Sequence, residues 1–223
     1  MRIPIDGGPA ATAGAHASCR RVSAGTPVPP TGVDRAHVPS HSTTGEATLR
    51  QQEPHDRQDG ASSAASASAR WAVGAFRAAG ARTVLVLGAG RDAPFLTRAG
   101  FTVHTAELRD PLPLPDACVD AVFAPMVLCA ALTRREIRAA VDETGRVLRP
   151  RGLLVYTVRH TGDPHCRTGV HRGENIYEHG GVAVHFFDAD LLHDLAQGWH
   201  VHGVNAFEEG ELPYRLWRVT QAR

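Results

Sequence analysis

The sequence predicts an α/β domain built on a doubly wound, mostly parallel sheet with an antiparallel last strand, and three observations carry that expectation. The first is the run Thr83-Val84-Leu85-Val86-Leu87-Gly88-Ala89-Gly90-Arg91-Asp92, where an aliphatic, β-branched strand ends in two glycines and turns helical. Strands buried on both faces read as continuous Val and Leu, the pattern of a parallel sheet covered by helices. The second is the alternation of strand and helix signals that follows, the order that builds βαβ units. The third is the ending: two strands at 200–206 and 214–220 flank the acidic turn Glu208-Glu209-Gly210-Glu211, a hairpin that reverses the last strand.

Each element has its own local reason. Residues 69–79 form a short amphipathic helix with Trp71, Val73 and Phe76 turned to the core, and Gly80 stops it. The first strand spans 83–88, and the helix after it, about 92–99, points its amino end at whatever sits over the two glycines. Further strands are expected at 102–106, 119–124 and 152–158. Thr133 caps a helix running to Leu148, with Glu136 three residues later as its capping-box partner. Asp188 caps another that runs to Ala196.

Residues 1–67 differ in kind. Segments such as Thr26-Pro27-Val28-Pro29-Pro30-Thr31-Gly32 and Gly60-Ala61-Ser62-Ser63-Ala64-Ala65-Ser66-Ala67 hold almost no aromatic or periodic apolar residues. They cannot bury enough surface to offset their ordering entropy, so a disordered low-complexity tail is expected over 1–67, a folded domain over 68–223, and translation starting further downstream. No secretory h-region and no apolar run long enough for a membrane span occurs.

Composition narrows the partners. Lys+Arg 24 against Asp+Glu 23 gives a formal charge of +1, with no basic stripe, so neither nucleic acid nor a membrane surface is expected. A small molecule is the expected partner. Cys19, Cys118, Cys129 and Cys166 form no CxxC pair, which fits free thiols in a reducing cytoplasm.

Two later blocks make the chemistry specific. Asp110-Pro111-Leu112-Pro113-Leu114-Pro115-Asp116 leads into Val119-Asp120-Ala121-Val122-Phe123, and Arg146-Val147-Leu148-Arg149-Pro150-Arg151-Gly152 leads into Leu153-Leu154-Val155-Tyr156. With the glycine turn, residues 68–223 resemble the class I S-adenosylmethionine-dependent methyltransferases, of a bacterial small-molecule type. The resemblance implies a Rossmann-like sheet, S-adenosyl-L-methionine as cofactor, and a small-molecule methyl acceptor. It implies that Gly88, Ala89 and Gly90 cradle the cofactor, while Glu107 or Asp110 grips its adenosine half. Glu107 lies about 17 residues beyond Gly90, near the roughly 20-residue spacing of a ribose-binding carboxylate. A solvated loop acid is its other reading.

The chain also departs from the family pattern. The family's acid two residues before the first Gly is Val86 here, and Gly90 runs straight into Arg91-Asp92 without a third Gly. The cofactor loop is thus shorter and less polar. Only Leu108 and Arg109 separate Glu107 from Asp110, too few for a parallel crossover, so either one helix and one strand are expected to be missing or one strand does double duty. A non-catalytic relative that has lost cofactor binding is therefore the alternative function. A nucleotide-dependent oxidoreductase fits poorly, because about 155 ordered residues leave no room for a substrate domain and no Tyr-x-x-x-Lys pair occurs.

Polar chemistry concentrates between the fifth and sixth expected strands, in His160, Asp163, His165, His171, Glu174, Tyr177, His179 and His185. His160 and His165 are the expected acid–base or substrate-contacting residues, since they follow directly from the 152–158 strand, where ligands of such sheets bind. No metal-ligand spacing stands out, and no metal is expected.

Overall fold

A computed structural model describes residues 65–108, 111–210 and 213–223. Asp110, Glu211, Cys19 and the expected tail up to residue 64 lie outside the described residues. The last residues of the expected tail belong to the domain: the Ser66 hydroxyl accepts the Ala69 amide and caps α1 (Ala67–Ala78).

After α1 come β1 (Thr83–Leu87), α2 (Ala93–Arg98), β2 (Thr102–Ala106), β3 (Val119–Pro125), α3 (Arg134–Val147) and β4 (Leu148–Arg159). Then follow β5 (Val170–Gly173), β6 (Ile176–His179), β7 (Val182–His185), α4 (Ala189–Ala196), β8 (His200–Glu209) and β9 (Tyr214–Ala222). The main sheet has the order β2-β1-β3-β4-β9-β8. Its first four strands run parallel, and β9 is antiparallel to both neighbours. This is the doubly wound sheet with a reversed last strand that the sequence predicts.

Strand periodicity splits the core between the two faces. Leu85, Leu87, Val122, Leu154, Tyr156 and Val158 pack with Ile137, Val141, Leu191 and Leu195 of α3 and α4. Val84, Val86, Phe123 and Val155 pack with Phe76 of α1 and Leu96 of α2. Burying each such side chain stabilises by about 1.5–3 kcal/mol. The capping box on α3 forms as expected, Thr133 accepting the Glu136 amide and Glu136 accepting the Thr133 amide. Asp188 likewise accepts the Leu191 amide at the start of α4.

Residues 107–118 themselves join β2 to β3 on the far side of β1, and the described ones among them form neither helix nor strand. With the Pro-rich block included, the connection has twelve residues, which meets the roughly 10–12 that a parallel crossover needs. Side chains of α3 fasten it. Glu143 accepts the Leu112 amide at 2.7 Å, and Arg146 donates to the Leu112 and Leu114 carbonyls and to Asp116. Leu112 is buried beneath this clamp. β2 is the edge of the sheet.

β4 starts four residues earlier than expected, since Leu148 already pairs with Val119 before a register shift. Gly152 sits where a Cβ would lie 2.8 Å from the Arg149 carbonyl oxygen and 3.0 Å from that of Asp120, so the glycine is required by backbone packing. A second, three-stranded sheet, β5-β6-β7, stands where the sequence suggests a polar loop.

Candidate active site

The carboxyl ends of β1, β3 and β4 are where this topology places ligands, beside the strand-order reversal between β1 and β3. At β1 the chain leaves the sheet through Gly88 (φ +88°) and Gly90 (φ +69°), both in the left-handed region where glycine carries no steric cost. The Gly88 amide donates to the Ala106 carbonyl at 2.9 Å, and the Ala93 amide to the Gly90 carbonyl at 2.9 Å, which closes the turn into α2. Among the described residues, the amides of Ala89 and Gly90 donate to no acceptor. They are available to a ligand.

The glycines serve the protein more directly than their spacing suggests. A Cβ on Gly90 would meet the Thr105 methyl at 3.2 Å, and one on Gly88 would meet Val127 at 3.6 Å. Both directions lead into neighbouring chain. Glu107 follows β2 immediately, one residue beyond the Ala106 carbonyl that holds Gly88, and its side chain is exposed. It has no ion-pair partner among the described residues, so its carboxylate is free to accept hydroxyl groups beside the turn. Asp110, the other adenosine candidate, lies outside the described residues.

Val86 lies 1 % exposed in the apolar cluster against α1 and α2. An acid there would point into that cluster. Asp92, by contrast, is buried and accepts both the Ser66 amide and its hydroxyl at 2.9 Å, latching the start of α1 to the glycine turn. The carboxyl end of β3 carries a feature with no sequence signal: Met126 adopts φ +59°, held by its amide donating to the Thr157 carbonyl at 3.0 Å and to Thr157 Oγ1 at 3.1 Å. Non-glycine residues in this region cost about 1–3 kcal/mol and cluster at functional sites. The turn it makes brings Val127 against Gly88.

β4 ends two strands from β1, about 10 Å away at the usual strand spacing. Its last residue, Arg159, donates through Nη2 and Nε to both oxygens of Asp163, at 2.6 and 3.2 Å. The guanidinium lies between the Phe186 and Tyr214 rings, 4.9 and 4.3 Å from their centroids. Asp163, with a side chain 0 % exposed, also accepts the amides of His165 and Arg215 at 2.8 Å each. Burial pushes its carboxyl up, but Arg159 and these two amides outweigh burial and hold it below the usual carboxylate range.

The two histidines expected from the sequence stand on either side of this acid, and their geometries differ. His160 stacks on Trp217 at 4.6 Å with planes 10° apart, and its Nδ1 accepts the Gly162 amide at 3.1 Å. Burial holds it below the ordinary histidine value, so the ring is neutral and its Nε2 carries the proton. His165 presents Nδ1 to Asp163 Oδ1 at 3.2 Å, and its ring is 39 % exposed. Sequence reasoning lists Asp163 among the polar residues without singling it out, because its burial and five donors come from β4, β9 and the loop together.

Glu174, at φ +47°, accepts the Arg134 amide at 2.8 Å and so ties the β5-β6 turn to the start of α3. No group of three or more metal-ligating side chains gathers among the described residues.

Residues 84–156, from β1 through most of β4, match the family model described as a methyltransferase domain. The fold is similar to that of a Burkholderia thailandensis 1,6-didemethyltoxoflavin-N1-methyltransferase, solved with 1,6-didemethyltoxoflavin and S-adenosylhomocysteine. That match has a TM-score of 0.52 and 16% identity over 70% of this chain and 78% of that one. The PH0226 protein from Pyrococcus horikoshii is similar at a TM-score of 0.51 and 15% identity, over 70% and 92%. No curated protein sequence matches the chain.

Proposed function

We infer, from the match of residues 84–156 to a methyltransferase domain and from the doubly wound sheet with a reversed last strand, that the chain transfers a methyl group from S-adenosyl-L-methionine to a small molecule. The carrying observation is the β1 turn, where two left-handed glycines, two unengaged amides and the exposed Glu107 meet at the point of strand reversal. Gly88, Ala89 and Gly90 would hold the cofactor, with Glu107 or Asp110 gripping its adenosine half. When bound, the cofactor supplies a methyl group already activated by a sulfonium. The protein's remaining tasks are to place the acceptor atom in line and to manage its proton.

His160 and His165 are the proposed acceptor-side residues, since both follow β4 directly. No helix of the described residues is long and apolar enough to cross a membrane, and Cys129 and Cys166 carry free thiols, which supports a cytoplasmic protein. The balanced charge of the chain supports a small acceptor over nucleic acid.

The shortened loop after Gly90 and the valine at position 86 favour the second reading, a methyltransferase-fold protein without cofactor. Calorimetric titration with S-adenosylhomocysteine separates the two. Saturable one-to-one binding, weakened by Glu107→Ala, supports the enzyme. A flat isotherm at millimolar ligand refutes it.

A further inference from the structure

We propose that Asp163 is a positioning residue that holds His165 with Nδ1 protonated and Nε2 bare, and that Nε2 takes the proton from an acceptor bearing O–H or N–H on its attacking atom. This rests on the methyltransferase reading above and names its acceptor class.

The two histidines at the end of β4 are not equivalent. His160 accepts a backbone amide at Nδ1, which leaves a proton on Nε2, so the neutral ring donates and takes no proton there. His165 is the reverse. Its Nδ1 faces a carboxylate, which accepts and cannot donate, so the proton sits on Nδ1 and the lone pair on Nε2. Nε2 makes no hydrogen bond among the described residues, and the ring is partly open to solvent.

Asp163 has no need of the ring for its own satisfaction. Arg159 and the amides of His165 and Arg215 already give it four donors, and those contacts fix the carboxylate in one orientation. Among the described residues, the charged and titratable groups in contact with His165 are Asp163 on its own loop and Tyr214 from β9, while Arg159 of β4 and Arg215 of β9 bond the same Asp163. Arg159 is neutralised by Asp163, Arg215 turns to the Gly162 carbonyl and Glu208, and Tyr214 lies 5.7 Å from the imidazole. Nε2 is therefore the ring atom left to take a proton, in the arrangement in which a carboxylate sets a histidine's tautomer.

The step balances with these groups. An acceptor lone pair forms the bond to the methyl carbon, the carbon–sulfur bond breaks with its electron pair left on sulfur, and the acceptor's proton passes to Nε2 and then to water. Acceptors without a proton on the attacking atom, such as tertiary amines and thioethers, gain nothing from this pair.

The test uses the full chain labelled with ¹⁵N-histidine, first by long-range ¹H–¹⁵N correlation at pH 8 and then by transfer of tritiated methyl. Expected are a His165 ring protonated at Nδ1, loss of that preference in Asp163→Asn, and S-adenosylhomocysteine affinity within about twofold of wild type in His165→Gln. Offered 4-nitrocatechol, xanthine, dimethylglycine and methionine, the wild type labels one of the first two and neither of the last. His165→Gln lowers that rate by about 10²- to 10⁴-fold. Should Asp163→Asn not fold, the wild-type tautomer and His165→Gln decide alone. A His165 protonated at Nε2, unchanged transfer in His165→Gln, or label in the last two acceptors or in none of the four overturns the proposal while leaving cofactor binding intact. Absence of S-adenosylhomocysteine binding instead overturns the methyltransferase reading and this proposal with it.

Discussion

Replacing the two glycines of the β1 turn by alanine separates backbone strain from crowding. Gly88 and Gly90 both hold positive φ, so either substitution forces an L-residue into the left-handed region at about 1–2 kcal/mol. The added methyl group meets different surroundings. At Gly88 it rests 3.6 Å from Val127 in ordinary contact, whereas at Gly90 it comes within 3.2 Å of the Thr105 methyl. That contact adds about 1 kcal/mol, the low end for overpacking, because Thr105 is exposed and yields partly. Gly88→Ala should therefore cost about 1–2 kcal/mol and Gly90→Ala about 2–3 in urea unfolding. Thr105→Ser removes the opposing methyl group, so the double-mutant cycle should return about 1 kcal/mol to Gly90→Ala and nothing to Gly88→Ala. Equal costs at the two positions, or a cycle with no coupling, would refute the assignment of the Gly90 requirement to β2. Gly90→Val, with a larger side chain against Thr105, should destabilise the turn before it obstructs a ligand.

Val86→Glu, which restores the family's acid, should lower stability by roughly 3–5 kcal/mol, because the carboxylate enters an apolar cluster with no partner; a thermal midpoint unchanged from wild type would contradict this. Thr133→Ala removes the N-cap of α3 and should cost about 1 kcal/mol in the same urea assay, with Glu136→Ala smaller. Acid sensitivity follows from Asp120, Asp163 and Glu143. Burial raises the two aspartates, but backbone amides and arginines outweigh it; Arg146 lowers Glu143. Folded values below unfolded ones mean that their stabilisation is fully present above about pH 4 and is lost as pH falls through the folded values. Asp120→Asn should thus be less stable than wild type at pH 7 by urea unfolding, with the gap closing as pH drops below 4; a constant gap would be inconsistent.

Local signals made much of this fold legible. The continuous Val-Leu run of β1 has no polar position because both its faces are covered. The Thr133 and Asp188 caps are side-chain-to-backbone bonds spanning three residues, so sequence spacing contains the whole interaction. Where the outcome depends on distant partners, the sequence is silent or misleading. β5 is exposed at every position and has no apolar alternation; it exists because β6 pairs with it and Glu174 ties their turn to α3. The link from β2 to β3 likewise depends on distant partners, since Glu143 and Arg146 of α3 hold its backbone at Leu112 and Leu114.

The same division explains which part of the candidate site sequence spacing could reach. Gly88, Ala89, Gly90 and Glu107 come to one end of the sheet within a single β1–α2–β2 unit, because the β1–β2 register that joins them is local. The pair at the end of β4 is different in kind. His160 and His165 look interchangeable in sequence, two histidines five apart after a strand, and only three-dimensional packing makes one a donor and the other an acceptor. Gly162 donates to the first, with no room there for a Cβ, which would lie 2.8 Å from the His160 ring. Asp163 faces the second only because Arg159 and the Arg215 amide, 52 residues further along the chain, fix its carboxylate. Gly162→Ala should accordingly displace the His160 ring from Trp217 and leave the His165 tautomer unchanged, as read from ¹H–¹⁵N correlations of the two rings. A change confined to His165 would mean that Asp163 does not control the tautomer, and the division of roles between the histidines would fall.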